Sequence, residues 1–330
     1  MSEPECRSQK VALKKHQVKD MIFKHYGLTV HSIKKIRGIL KILMDKGIYS
    51  FKNAEELPDL DFVVRCLRVI RQNGFPFIPQ LVPTVTGETK VSFEGESYYL
   101  DQWIEGDELP AGKNNEDLLG KALASFHRAS QRIIIGSNST RNGYGKRHAF
   151  LLDGNIKLHN WLQKGTLVTD FDKQALRFLT YRCWLAYSYI KDVPAHPQTV
   201  IPALCHGSPH HENILVDSRN NIWFIDFESL VYAERMLDVA QLIHYYGYPF
   251  EWDSAVVHRL LNSYQRHHGT PISKAEVRYF LSYLAFPRRL YNAMNKHFDN
   301  EASSDKHDKK LKKLIEQEYA KERFLSTYPL

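Results

Sequence analysis

The sequence predicts an α+β fold in two lobes, a small antiparallel sheet carrying one helix followed by a larger, mostly helical lobe. Three observations carry this expectation. Alternating apolar residues with Gly-containing turns dominate residues 33–104, helical periods dominate the chain beyond residue 115, and one short hairpin, 213–227, interrupts the helical part. With 330 residues, the chain is long enough for two cores of ordinary size.

Residues 1–10 are polar, and 12–26 read as a short helix ended by Gly27, with Leu13, Val18, Ile22 and Phe23 roughly on one face. Segment 33–53 alternates through Ile36, Leu40 and Ile42, turns at Asp45-Lys46-Gly47, and returns through Ile48, Tyr49 and Phe51 as a hairpin. Leu60, Val63, Val64, Leu67 and Ile70 form the buried stripe of one helix, which Gly74 and the pair Pro76/Pro79 end. Its Arg65, Arg68 and Arg71 fall on the opposite, solvated face. Two further strands, around 89–94 and 97–104, meet at Glu94-Gly95-Glu96.

Gly106 and Pro110 mark a boundary, which divides the chain into a tail and helix (1–29), a small lobe (30–104) and a large lobe (105–330). Helices are expected at 115–131, 153–164, 170–190, 253–267, 272–297 and 306–323. The last of these, in a tail of seven basic and six acidic residues over 301–323, reads as an exposed, ion-paired helix or as an interaction arm.

Composition excludes several classes. A chain that is 43% hydrophobic and 25% charged can bury a core, so disorder is confined to the ends. The four cysteines (Cys6, Cys66, Cys183, Cys205) include no C-x-x-C pair, which argues against a zinc site or disulfide framework and for a reducing compartment. No apolar run is long enough for a membrane span, and no secretion signal is evident, so a cytoplasmic protein is expected. Residues 1–50 hold eleven Lys or Arg against four Asp or Glu. Charge alone names no partner, and without a recognised motif nucleic-acid binding is not expected.

The chemistry concentrates between Leu204 and Glu228. Transfer of a phosphoryl group needs a divalent cation held by oxygen ligands, typically a carboxylate and an amide, and a residue that takes the acceptor's proton. Cys205-His206-Gly207-Ser208-Pro209-His210-His211-Glu212-Asn213 leads into the hairpin, and Ile225-Asp226-Phe227-Glu228 leaves it. Asn213 and Asp226 thus stand at the two ends of a hairpin, thirteen residues apart.

This stretch resembles the catalytic loop and metal motif of aminoglycoside phosphotransferases and choline kinases, which read H-G-D-x-x-x-x-N and then I-D-F/W-E/D. Met236-Leu237-Asp238-Val239-Ala240 is similar to the family's D-L-A segment, and Leu123-Ala124-Ser125-Phe126-His127 to its L-A-x-F/L-H helix. Gly47-Ile48-Tyr49-Ser50-Phe51-Lys52 resembles the strand that ends in the phosphate-binding lysine. Tyr98-Tyr99-Leu100-Asp101-Gln102-Trp103-Ile104-Glu105-Gly106 resembles the linker whose backbone bonds adenine. Within the superfamily, the W-I-E-G linker and the I-W-F-I-D-F-E strand most resemble the spore coat protein S group of endospore formers.

The resemblance implies a two-lobed protein-kinase-like fold, Mg²⁺ and ATP as cofactors, Asn213 and Asp226 as metal ligands, and Lys52, Asp101 and Trp103 on the nucleotide. His206 and Asp238 would support the catalytic loop. It also implies a small hydroxylated or amino metabolite as acceptor, or other spore coat proteins as partners, in the mother-cell cytoplasm or the coat. Lys52, Asn213 and Asp226 are then expected to face one shared gap.

Two departures bear on activity. The position of the catalytic aspartate is Ser208, whose hydroxyl cannot accept a proton near neutral pH. No acidic residue lies between Asp61 and Glu88 to serve as the helical partner of Lys52, which leaves Glu55, Glu56 and Asp61 as nearby candidates. The expectation is a kinase-fold protein with weak or absent transfer, the alternative being an active small-molecule kinase. His210 and His211 beside the slot are either substitute bases or exposed loop residues.

Overall fold

The computed structural model describes residues 13–109, 115–131, 133–136, 138–163, 169–247, 252–299 and 305–328. The chain divides into two compact units, one running to Arg68 and including Pro79–Glu105, the other made of Val69–Ile78 and everything from Gly106 onward.

The first unit is built on an antiparallel sheet of six strands: β1 (Val30–Ile36), β2 (Ile39–Met44), β3 (Gly47–Asn53), β4 (Leu81–Val82), β5 (Val91–Phe93) and β6 (Glu96–Gln102). The order is β1-β2-β3-β6-β4, with β5 also paired to β6. The expected single hairpin over 33–53 is three strands. Arg37 and Gly38, at φ 48° and 92°, turn the chain back between Ile36 and Ile39. Both central residues have the positive φ that tight hairpins require, a signal present in the lone Arg-Gly pair and missed beside the stronger Asp-Lys-Gly turn.

Helix α1 (Lys15–Tyr26) ends, as expected, on Gly27 in the left-handed conformation. Val18, Met21, Ile22 and Tyr26 pack into a core with Ile33, Ile42, Phe51 and Leu100. Phe23, expected on that face, is 67% exposed, because Met21 and Tyr26 complete the stripe instead. In α2 (Leu60–Gln72) the buried residues are Leu60, Val63, Cys66 and Ile70. Arg65 and Arg68 are solvated, whereas Arg71 donates to the carbonyls of Pro76 (2.7 Å) and Ile78 (2.6 Å) and ties down the turn that follows.

The second unit holds α3 (Asn115–Ser130), α4 (Arg147–Gln163), α5 (Asp170–Ile190), α6 (Met236–Gly247), α7 (Ser254–His268), α8 (Lys274–Ala285), α9 (Arg288–Asp299) and α10 (Asp305–Thr327). The expected hairpin is present as β9 (Ile214–Val216) and β10 (Ile222–Phe224), and β7 (Asp107–Glu108) extends it to three strands. A pair not foreseen, β8 (Pro202–Cys205) with β11 (Val231–Glu234), clamps the segment leading into the 206–213 loop.

The helix expected over 272–297 is two helices. Phe286 is extended at φ −68°, ψ 120°, the conformation that a following proline imposes, and Pro287 breaks the run. Helix α4 starts six residues before the expected 153, and α10 is not an exposed ion-paired rod. Leu311, Leu314, Phe324 and Leu325 are buried, and Glu318 and Lys321 form an inward ion pair (2.6 Å) that also meets Arg182 (3.2 Å). Among the described residues no helix is long and apolar enough to cross a membrane.

Candidate active site

The 206–213 loop is held by one buried carboxylate. Asp238, in the first turn of α6, accepts from the His206 amide (2.6 Å), the Gly207 amide (2.9 Å) and His127 Nε2 (3.0 Å). A buried charge persists only when its hydrogen-bonding capacity is met, and these three donors meet it. His127, on α3, is itself fixed by the Tyr264 hydroxyl at 2.8 Å. His127, Cys205 and Asp238 lie close enough to hold a metal ion. The carboxylate is already taken by N–H donors, however, and burial pushes the Cys205 thiol well above its ordinary range, away from the thiolate a metal needs. The cluster is a lock on the loop.

His206 forms the second tie. Its ring is fully buried against Phe227, donates from Nε2 to the Ile225 carbonyl (2.8 Å) and accepts at Nδ1 from the Ser208 amide (3.3 Å). That tautomer is neutral, in line with burial, which pushes its pKa below the usual histidine value. Asn213 donates from Nδ2 to the Ser208 carbonyl (3.0 Å), while the Ile225 amide donates to the Asn213 carbonyl (3.0 Å). The loop and the strand bearing Asp226 are therefore laced together.

Asp226 sits at φ 66°, in the left-handed region, which Asp tolerates better than most non-glycine residues. Among the described residues its carboxylate has no hydrogen-bond or ion-pair partner, and the Asn213 amide oxygen accepts no hydrogen bond. A carboxylate and an amide oxygen left open at the two ends of one hairpin suit a hard divalent cation such as Mg²⁺.

Ser208 is half-buried, and both of its backbone polar groups are engaged, the carbonyl by Asn213 and by the His210 amide (2.9 Å). From the other side, Arg288 of α9 donates to the Gly207 carbonyl (3.0 Å). His210 stacks edge-on against Tyr245 (5.4 Å), with Nδ1 4.0 Å from Glu212, and burial lowers its pKa. His211 is exposed.

In the first unit, Lys52 Nζ lies 3.0 Å from Asp101 Oδ2. Lys52 is paired across the sheet with Tyr99, and Asp101 is two residues farther along the same face of β6, so the pair is a diagonal cross-strand contact. Asp101 thus gives Lys52 a carboxylate partner from within the sheet. That pairing was not legible in the sequence, because it depends on the register of β3 against β6. Asp101 is also paired through its backbone with Ser50 on one side and Leu81 on the other. Trp103 donates its amide to the Ile48 carbonyl (3.0 Å), and Lys41 lies over its ring at 4.7 Å.

An antiparallel sheet unit and a helical unit with a loop–hairpin site define a kinase-like fold. The model of the phosphotransferase enzyme family matches residues 11–276, and the chain belongs to that family. Solved structures with the same fold include an aminoglycoside phosphotransferase from Alicyclobacillus acidocaldarius, 19% identical, with a TM-score of 0.74 over 98% of this chain and 97% of that one. A spectinomycin phosphotransferase, solved with ADP and spectinomycin, is 14% identical with a TM-score of 0.66 over 94% and 99%. An amicoumacin kinase, solved with AMP-PNP, Ca²⁺ and Ami, is 11% identical with a TM-score of 0.62 over 96% of both chains. None of the curated proteins matches the chain.

Proposed function

We propose that this chain binds Mg-ATP but transfers its phosphoryl group slowly or not at all. One observation carries this reading: every tie that holds a catalytic loop in place is present, while the side chain at its working position is Ser208. In transfer, the acceptor oxygen bonds to the γ-phosphorus as the bond to the β-phosphate oxygen breaks, and the acceptor's proton must go to a base. A serine hydroxyl cannot take that proton at neutral pH, and loss of such help slows transfer by about 10²–10⁴-fold.

In this reading Lys52, steadied by Asp101, meets the nucleotide phosphates, the linker around Asp101–Trp103 meets adenine, and Asn213 and Asp226 hold the metal. Bound Mg²⁺ supplies charge neutralisation of the phosphates. Calorimetric titration with Mg-ATP tests it. Asp226→Ala is expected to weaken binding at least tenfold, and unchanged affinity would sink the metal assignment. Ser208→Asp is expected to raise ATP turnover by about 10²-fold or more, and silence would mean that the pocket is degenerate.

A second reading, an active small-molecule kinase, draws support from His210. Burial keeps its imidazole neutral near pH 7, so it is able to accept a proton beside the slot. His210→Gln should then abolish any measured transfer. The resemblance to spore coat protein S supports a further proposal, association with other coat proteins in the mother cell, which fractionation of spore shells checks.

A further inference from the structure

Within the second unit, a cavity of about 500 Å³ opens beside the 206–213 loop, with Gly207 and Ser229 in its wall. Its charged lining is entirely basic: Lys146 and Arg147 at the start of α4, and Arg288 and Arg289 at the start of α9. Among the described residues no carboxylate lines it. Two acids lie behind the wall, both fully buried: Glu234 accepts from the Gly145 amide (2.9 Å) and the Tyr283 hydroxyl (2.5 Å), and Asp238 accepts from the Gly207 amide (2.9 Å) and the His206 amide (2.6 Å). Two screened carboxylates behind the wall against four cations in it leave a net positive chamber.

Arg147 is the fixed cation of this set. It is 7% exposed, donates to the Ser282 carbonyl (3.0 Å), and is stacked among Tyr283 (4.3 Å), Phe286 (5.1 Å) and Phe150 (5.5 Å). Among the described residues it has no carboxylate partner, and its Nη1 donates to no acceptor. A guanidinium stays charged even there, so a buried, unpaired fork facing a cavity is poised for an anion. An independent observation points the same way. The amide Oε1 and Nε2 of Gln241, also in the wall, are both buried and both without a hydrogen-bond partner. Orphaned polar atoms lining a cavity of ligand size call for a polar ligand.

We propose that this cavity is the acceptor site and that its ligand is an anion, a small molecule bearing a carboxylate or phosphate. The acid group pairs with Arg147 and the Arg288–Arg289 pair, a hydroxyl or amide is read by Gln241, and an apolar body lies on Phe150, Phe286 and Tyr291. A polycationic acceptor would instead meet like charge from the starts of both α4 and α9. The assignment of the cavity to the acceptor rests on the reading of the 206–213 loop as the transfer site.

Titration of the full chain with phenylphosphate, phenylacetate and phenethylamine tests the proposal. At low salt the two anions are expected to bind, the stronger of them naming the acid group, and the amine is not. Arg147→Met is expected to weaken anion binding at least tenfold, and Arg289→Met, at an exposed position where folding is not at stake, at least threefold. Amine binding equal to or tighter than anion binding overturns the proposal, as does anion affinity unchanged in Arg289→Met and in a folded Arg147→Met. Mg-ATP titrations of the same variants separate the two readings. Nucleotide affinity retained while anion affinity falls supports the cavity assignment alone. Anion affinity retained in both arginine variants removes that assignment and leaves the nucleotide site standing.

Discussion

Gly207 lies at φ 79°, and a Cβ added there would stand 2.0 Å from the Ser229 carbonyl oxygen. A side chain is excluded twice, by the left-handed backbone and by overlap with main chain that cannot rotate away. Gly207→Ala is therefore expected to cost more than about 2 kcal/mol and lower the melting temperature by several degrees; an unshifted melting curve would show that the turn at Ser229 yields freely. His206, Asn213, Asp226 and Asp238 were singled out in the sequence by the resemblance of their segments to family motifs, and the structure gathers His206, Asn213 and Asp238 around the 206–213 loop. Their partners were not legible in the sequence. That Asp101 engages Lys52, and that His127 and the Gly207 amide converge on Asp238, follows from strand register and helix packing, which link positions far apart in the chain.

At the scale of elements, α10 shows how charge pattern misleads. Its balanced basic and acidic residues predict a solvated helix, yet Glu318 is buried between Arg182 and Lys321. Burial also lowers the Lys321 pKa to about 8, and Glu318 offsets this in part. Removing the central carboxylate leaves two buried cations facing each other. Glu318→Gln is expected to destabilise the chain by about 3 kcal/mol or more, measured by denaturant unfolding, whereas Lys321→Met, which leaves the Arg182–Glu318 pair, costs less. Equal costs for the two would mean that the network is open to water. Period and breaker signals placed most helices well, but residue 286 shows their limit. The apolar period runs through Pro287, and only the proline's own steric demand separates α8 from α9. That break has a consequence for the cavity, since it starts α9 at Arg288 and Arg289.

For the whole molecule, acid sensitivity is expected from histidines buried in neutral form. Burial, with Arg235 beside it, pushes the pKa of His268 down to about 3, and its Nδ1 accepts from Arg235 at 2.8 Å. The unfolded chain binds that proton with an ordinary pKa of about 6.5. Stability from this group is thus complete above about pH 6.5 and is lost progressively as pH falls toward 3. Glutamine at this position can still accept from Arg235 but does not titrate. Between pH 7 and pH 5, His268→Gln is expected to lose about 2 kcal/mol less stability than the parent chain, read from urea midpoints; parallel loss in both would show that His268 is protonated in the folded state.

The sequence by itself determined which chemistry is present and in what order: a sheet-rich part, a helical part, a loop and hairpin carrying amide and carboxylate, and serine where a base is expected. Local spacing and turn geometry suffice for the order of the parts, and the family resemblance supplies the expectation of a base at Ser208. Only the tertiary structure decided which charges are paired and which are left facing open space. Lys146 and Arg147 meet Arg288 and Arg289 around one cavity because α4 and α9 pack within the same unit, and Glu234 behind its wall is taken by the Gly145 amide and the Tyr283 hydroxyl. Such pairings depend on side-chain burial and on contacts between distant segments, and no periodicity along the chain records them.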